Sequence, residues 1–213
     1  IAQIEQVEKV GAKSKIPYSA KDALVTQKMA QSNVLPQTVD KTGTVDTTAI
    51  KEAQRQYLEQ PIGQQEDGSP ITVRNAESVV GRLLKQEGAT VNINEVIGSL
   101  VSAVERTGLA AYIMERAMRV GIPNYTMALM KYADEFGNIK LEDIHTEKIR
   151  TTSNLDYSKP ASTVYRKALG TGLRKIIENK SKHPISEINQ ELGIHLEAVK
   201  RIGKLAGKKV EGG

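Results

Sequence analysis

Hydrophobic positions in this chain recur every three or four residues, and glycines and prolines punctuate the polar stretches between them. The pattern is most regular between residues 75 and 137. Val79, Val80, Leu83 and Leu84 predict a helix running from an Asn75 cap to Gly88. Val96, Ile97, Leu100, Val101 and Val104 predict a second over 94–107, closed by Gly108. Leu109, Ile113, Ala117 and Val120, with Met114 and Met118 beside them, predict a third, closed by Gly121. Pro123 opens a fourth, which carries Met127, Leu129, Met130 and Tyr132 and closes at Gly137. The connections are short, so neighbouring helices are expected to be antiparallel or steeply crossed. A further short helix is expected over 140–150, then a linker over 151–160.

The flanks are less apolar. Ile1, Ile4, Val7 and Val10 give a narrow stripe that ends at Gly11. Residues 20–32 can be helical on Ala23, Leu24 and Met29, and residues 33–46, with Pro36 and Gly43, read as loop. Asp46 is a good cap for a helix over 47–60 that carries Ile50, Ala53, Tyr57 and Leu58 and is stopped by Pro61. Residues 61–74 are turn-rich and mark a boundary; Ile71-Thr72-Val73 is the one strand-like run. So little apolar surface precedes residue 75 that this region reads as an arm lying against a partner. At the other end, Tyr165, Leu169, Leu173, Ile176 and Ile177 form one helical face, and Leu192-Gly193-Ile194 reads as a tight turn between two short helices. The expected fold is all-α: an N-terminal arm over 1–74, an aliphatic helical bundle over 75–150, and a basic C-terminal helical hairpin within 151–213.

Composition narrows the core. The chain is 39% hydrophobic but only 4% aromatic, with no Trp and one Phe, so the core must be aliphatic, which suits packed helices. There is no Cys, which removes disulfides and thiolate chemistry. No run of 18 uncharged apolar residues exists, so no membrane span is expected. The opening IAQIEQVEKV lacks the apolar centre of a signal peptide, and a start at Ile implies processing or an incomplete chain. The net charge of +5 is uneven: residues 148–213 hold 14 Lys/Arg against 6 Asp/Glu, a balance of +8, while residues 1–147 hold 16 against 19, a balance of −3. One-sided positive charge points to a polyanionic partner.

Catalytic and metal-binding constellations are sparse. Glu142 and His145 have the Glu-x-x-His spacing of carboxylate-bridged metal bundles, but the motif occurs once and lacks its further glutamates, so His145 reads as a surface histidine. Glu191 and His195 are four apart with Gly193 expected to break the helix between them. Gly170-Thr171-Gly172-Leu173-Arg174-Lys175 lacks P-loop spacing and follows no strand. Asn124-Tyr125-Thr126 and Asn179-Lys180-Ser181 match the glycosylation sequon, which matters only in a secreted context. No catalytic activity, cofactor, metal or small-molecule substrate is expected. The cations instead fall in pairs at helical spacing: Lys51 with Arg55, Arg82 with Lys85, Arg116 with Arg119. Adding Lys13, Lys15, Lys21 and Lys28 on the arm, Arg166, Lys167, Arg174 and Lys175, and Lys200, Arg201 and Lys204 gives a candidate surface for non-specific contacts to DNA phosphates.

Two resemblances follow from these residues. Residues 185–202 (ISEINQELGIHLEAVKRI) resemble a helix-turn-helix, with Ile188, Leu192, Ile194, Val199 and Ile202 as its apolar positions and Gly193 at its turn. That resemblance implies a recognition helix at 195–204 presenting His195, Glu197, Lys200 and Arg201, and hence a sequence-specific regulator. Asn189 and Leu196 depart from the pattern, which makes a basic hairpin that packs and neutralises the preferred reading of the segment. The whole layout, with a Lys-bearing arm over 1–60, a Gly-punctuated bundle over 75–137 and almost no aromatics or Cys, is similar to the major coat proteins of filamentous archaeal double-stranded DNA viruses. That resemblance implies paired coat subunits of the same or a paralogous type enclosing double-stranded DNA in a helical virion, without base readout. A DNA-associated cytoplasmic location goes with the regulator, and a helical scaffold that binds no nucleic acid is the third reading.

Overall fold

The structure is a computed structural model that describes residues 23–28, 47–153 and 155–203. It is mainly helical, as the apolar spacing predicts, with two small two-stranded sheets. The elements in order are α1 (residues 23–28), α2 (Thr47–Leu58), β1 (Pro61–Gln64), β2 (Pro70–Thr72), α3 (Ala76–Glu87), β3 (Thr90–Asn92), α4 (Ile93–Glu105), α5 (Ala111–Arg116), a π-helical turn (Ala117–Gly121), α6 (Ile122–Met130), β4 (Asn138–Lys140), α7 (Leu141–Ser153), α8 (Pro160–Lys180) and α9 (Ile185–Gly203). The chain divides into two compact units. One is Ser78–Ser186; the other is made from both ends, Ile1–Glu77 with Glu187–Gly213. These units differ from the expected arm, bundle and hairpin.

The continuous unit is built on two helix–loop–helix pairs. In each, a glycine with positive φ ends or turns the loop, Gly88 at 64° and Gly137 at 77°, where an L side chain would be strained. The loops pair antiparallel through β3 and β4, with Val91 opposite Ile139. The Ile93 N–H donates to Gly137 O at 2.8 Å and the Leu141 N–H to Ala89 O at 2.9 Å. Asn92 caps α4, its side chain accepting from the Asn94 N–H. Leu84, Val96, Leu100, Ile139, Leu141, Ile144, Leu173 and Ile177 fill the interior, all nearly or fully buried. The long α8 packs against both α4 and α7. Its glycines permit close approach: a Cβ on Gly172 would stand 3.0 Å from Ser99 O and 3.1 Å from Leu100 Cα. Ser99 Oγ donates to Gly172 O at 2.8 Å across the same contact.

Three expectations in this unit need correction. Gly121 does not stop a helix; its φ is −66°, and the chain runs from α5 through a π-turn directly into α6. The extra residue of the π-turn lets the helix pass without the break that Gly121-x-Pro123 suggested. His145 is buried at 3% exposure, beside Gly81, whose missing side chain makes room for the imidazole. Residues 151–153 continue α7 instead of opening a linker.

In the other unit, β1 and β2 form an antiparallel hairpin with a bulge between Pro61 and Gly63, turned at Gly68. The expected turn at Leu192–Ile194 is absent: α9 is one helix, and Gly193 is not among the glycines with positive φ. The apolar residues Ile188, Leu192, Val199 and Ile202 fit one unbroken helical stripe as well as two short ones, and a single interior glycine lowers helix stability without ending it. Val25, Ile50, Ala53 and Tyr57 form one cluster with Ile194, Ala198 and Ile202. α1 and α2, expected on an arm held by a partner, thus bury their apolar faces against α9 of their own chain.

Candidate nucleic-acid interface

The cations expected to meet phosphate are distributed unequally. Lys13, Lys15, Lys21 and Lys204 lie outside the described residues. Lys28 pairs with Glu191 at 3.1 Å. Arg55 is bound by both oxygens of Glu52, at 3.0 and 2.8 Å, and Lys51 is exposed on the same helix. Lys200 and Arg201 share Glu197, each at 3.8 Å. Counted over the sequence, the unit made from the two ends holds 14 Lys/Arg against 14 Asp/Glu, a net of zero. Ser78–Ser186 holds 16 against 11, so the whole +5 resides there.

Within that unit, α8 gathers the charge. At 100° per residue, Val164, Lys167, Thr171, Arg174, Lys175 and Glu178 fall in an arc of about 100°, opposite the buried Leu169, Leu173 and Ile176. Lys167 and Arg174 are exposed and Lys175 is half-buried. Arg174 sits 3.6 Å from Glu178. Lys167 lies over the exposed ring of Tyr157, 5.1 Å from its centroid. Arg166 points off this face, and its Nη2 donates to Arg150 O at 3.3 Å. That bond is to the Arg150 main chain and ties α8 to α7, while the Arg150 guanidinium is engaged by Glu147. At the start of α8, Lys159 pairs with Asp156 at 3.6 Å. The Asp156 carboxyl is held below its usual range by hydrogen bonds from the Ser158 hydroxyl and N–H. The remaining candidates are exposed on other elements: Arg82 and Lys85 on α3, Arg116 on α5, and Arg119 in the π-turn, 3.7 Å from Glu115.

Arg150 also anchors a buried carboxylate. The Glu147 side chain is 1% exposed, and its Oε2 accepts from Arg150 Nε at 2.9 Å and Nη2 at 2.6 Å. Its Oε1 accepts from the Tyr132 hydroxyl at 2.7 Å, with Lys131 Nζ at 3.7 Å. Burial pushes this carboxyl up, but the hydrogen bonds from Tyr132 and Arg150 and the two nearby cations outweigh burial and hold it below the usual range. It stays ionised and holds the Arg150 guanidinium one turn away on α7. Tyr125 donates or accepts at 2.7 Å with Thr151, and burial raises the Tyr165 hydroxyl to about 12.

The sequence singled out Gly170–Lys175 for its glycines and basic residues. In the structure these glycines serve packing, Gly172 against α4 and Gly170 against Thr152 of α7, while Arg174 and Lys175 face outward. Glu191 and His195, thought separated by a break, share one helix face, with His195 Nε2 3.6 Å from Glu191 Oε2. Among the described residues, no group of three His, Cys, Asp or Glu converges as a metal site, and no helix is long and apolar enough to cross a membrane. Tyr112, Val120, Met127, Met130 and Phe136 stand exposed on α5, the π-turn, α6 and the loop that follows. No protein-family model, curated protein or solved structure matches the chain.

Proposed function

We propose that this chain is a non-catalytic structural protein that binds double-stranded DNA through phosphate contacts, without reading base edges. One observation carries the reading. The net charge of +5 falls entirely in Ser78–Ser186, and its longest helix turns Lys167, Arg174 and Lys175 outward from a packed aliphatic face. Lysine and arginine on a rigid helix face neutralise phosphates and release counterions, giving affinity without sequence choice. Arg174 is the exposed member of its 3.6 Å pair with Glu178, so its guanidinium is open to a phosphate.

In its fuller form, the chain is a coat subunit packing DNA in a filamentous virion, with the exposed Tyr112, Met127, Met130 and Phe136 in contacts between subunits. The folding of α1 and α2 onto α9 counts against an arm that wraps DNA along its whole length, so the phosphate contacts are assigned to the α8 face. The regulator reading loses its turn at Gly193 and is not favoured. The test is a triple substitution, Lys167→Gln, Arg174→Gln and Lys175→Gln. If all three residues meet phosphate, the slope of log affinity against log salt becomes shallower by about 2.7 for any duplex. An unchanged slope refutes this face. Negative-stain microscopy of protein with DNA tests the coat form: uniform filaments support it, and discrete particles oppose it.

A further inference from the structure

The unit made from the chain ends closes along a narrow apolar seam. Val25 of α1 and Ile50, Ala53 and Tyr57 of α2 meet Ile194, Ala198 and Ile202 of α9. Polar groups are set into this seam. Tyr57 is 0% exposed and His195 6%, and their rings stack tilted at 47° with centroids 5.3 Å apart. Among the described residues, neither the Tyr57 hydroxyl nor His195 Nδ1 has a hydrogen-bond partner. On its other edge the imidazole faces Glu191, whose Oε2 is 3.6 Å from Nε2 and 3.1 Å from Lys28 Nζ. One carboxylate oxygen therefore serves both a lysine on α1 and a histidine on α9. A buried polar atom in a permanent core is normally satisfied, so two orphans in one small seam need an explanation.

We propose that the seam is a proton-operated latch: neutral His195 keeps α1 and α2 on α9, and protonation of His195 releases them. In the neutral ring one nitrogen carries the proton; a proton on Nε2 faces Glu191, and Nδ1 keeps a bare lone pair against the apolar seam. A second proton makes the ring cationic and turns the Nδ1 lone pair into an N–H with no acceptor among the described residues, inside the apolar cluster. The groups that face the imidazole are Lys28 from α1, Tyr57 from α2 and Glu191 from α9 itself. Burial first, and then the Lys28 charge, disfavour the imidazolium and outweigh the attraction of Glu191. Burial raises the Tyr57 hydroxyl, so it stays neutral throughout the relevant range. The tie from Gln54 Nε2 to Val199 O, at 3.0 Å, does not titrate and persists until the helices part. Opening exposes the apolar face of α9 and frees both N-terminal helices for another surface. The inference goes beyond the DNA reading and is independent of it.

The sign follows from the direction of the shift. A histidine whose folded value is lowered stabilises the closed seam fully above the ordinary imidazole value of about 6.5, and that stability is lost as pH falls through the lowered value. Hydrogen exchange on the full chain, corrected for intrinsic rates, measures it. Opening of amides in 47–58 and 187–203 is expected to rise about tenfold for each pH unit across that window, while α4 in the other unit stays unchanged. His195→Gln removes the response, and His183→Gln keeps it. The latch is overturned by a wild-type seam that stays closed to pH 5, or by an equal acid response in His195→Gln. Should His195→Gln fail to fold, imidazole NMR on the unmodified chain decides. A His195 midpoint that coincides with seam opening supports the latch, and His195 titration with the amides still protected overturns it.

Discussion

Replacing Gly193 by alanine separates one continuous α9 from a helix-turn-helix, because the two geometries predict opposite signs. In the structure Gly193 lies inside the helix, and none of the described residues stands within 4 Å of the position a Cβ would take, so the methyl group meets no clash there. Alanine then gains the helix-propensity difference, about 0.8–1.0 kcal/mol, with no steric penalty. At a tight turn the same position would need a left-handed backbone, where an L residue costs about 1–2 kcal/mol. The two outcomes are therefore about 2–3 kcal/mol apart, well outside the error of a denaturation experiment. Urea unfolding followed by circular dichroism gives the global value. Exchange of amides in 187–203 gives the local one, with protection expected to rise about fourfold for a gain of 0.8 kcal/mol. A Gly193→Ala variant destabilised by 1 kcal/mol or more refutes the continuous helix and restores the turn that a recognition helix needs.

Other substitutions test the packing that presents the cationic face. Glu147→Gln is expected to destabilise Ser78–Ser186 by about 1–3 kcal/mol at neutral pH, since charge-assisted hydrogen bonds to Tyr132 and Arg150 are weakened. The value stays below that of a fully buried pair because Arg150 is 59% exposed and regains water. The Glu147 contribution is present above the ordinary carboxylate value and lost as pH falls through its lowered one, so wild type and variant converge in acid urea titrations. Gly172→Val forces α8 away from the Ser99 and Leu100 backbone and is expected to cost about 1–3 kcal/mol in thermal unfolding. Tyr57→Phe deletes a buried hydroxyl that has no partner among the described residues and is expected to leave stability unchanged or raise it by up to about 1 kcal/mol. A large loss would reveal a hidden partner for that oxygen.

Local features of the fold were legible in the sequence. Stripes such as Val96, Leu100 and Val104 mark a buried helix face, and Gly88, Gly108 and Gly137 each take the positive φ expected of a helix or loop terminator. Gly121 and Gly193 carry the same sequence signal and the opposite geometry, because the surrounding helix packing, and not the glycine, decides whether the chain turns. The β3–β4 ladder was not visible: each strand is three residues long, and the partners lie nearly fifty residues apart. The burial of Val25, Ile50 and Tyr57 was hidden for the same reason, since their counterparts Ile194, Ala198 and Ile202 stand at the other end of the chain. The cations could be named from sequence, but not their grouping. The periodicity of α8 links Lys167 with Arg174, whereas the tie from Arg166 to the Arg150 carbonyl comes only from the packing of α7.

The most direct test of the DNA reading is the salt dependence of binding to two double-stranded DNAs of equal length and unrelated sequence. The account predicts equal affinities at every salt concentration and the same steep fall, with a log–log slope of about −2.7 or steeper if at least three phosphates are contacted. A strong preference for one sequence, or no binding to either duplex at low salt, would contradict it.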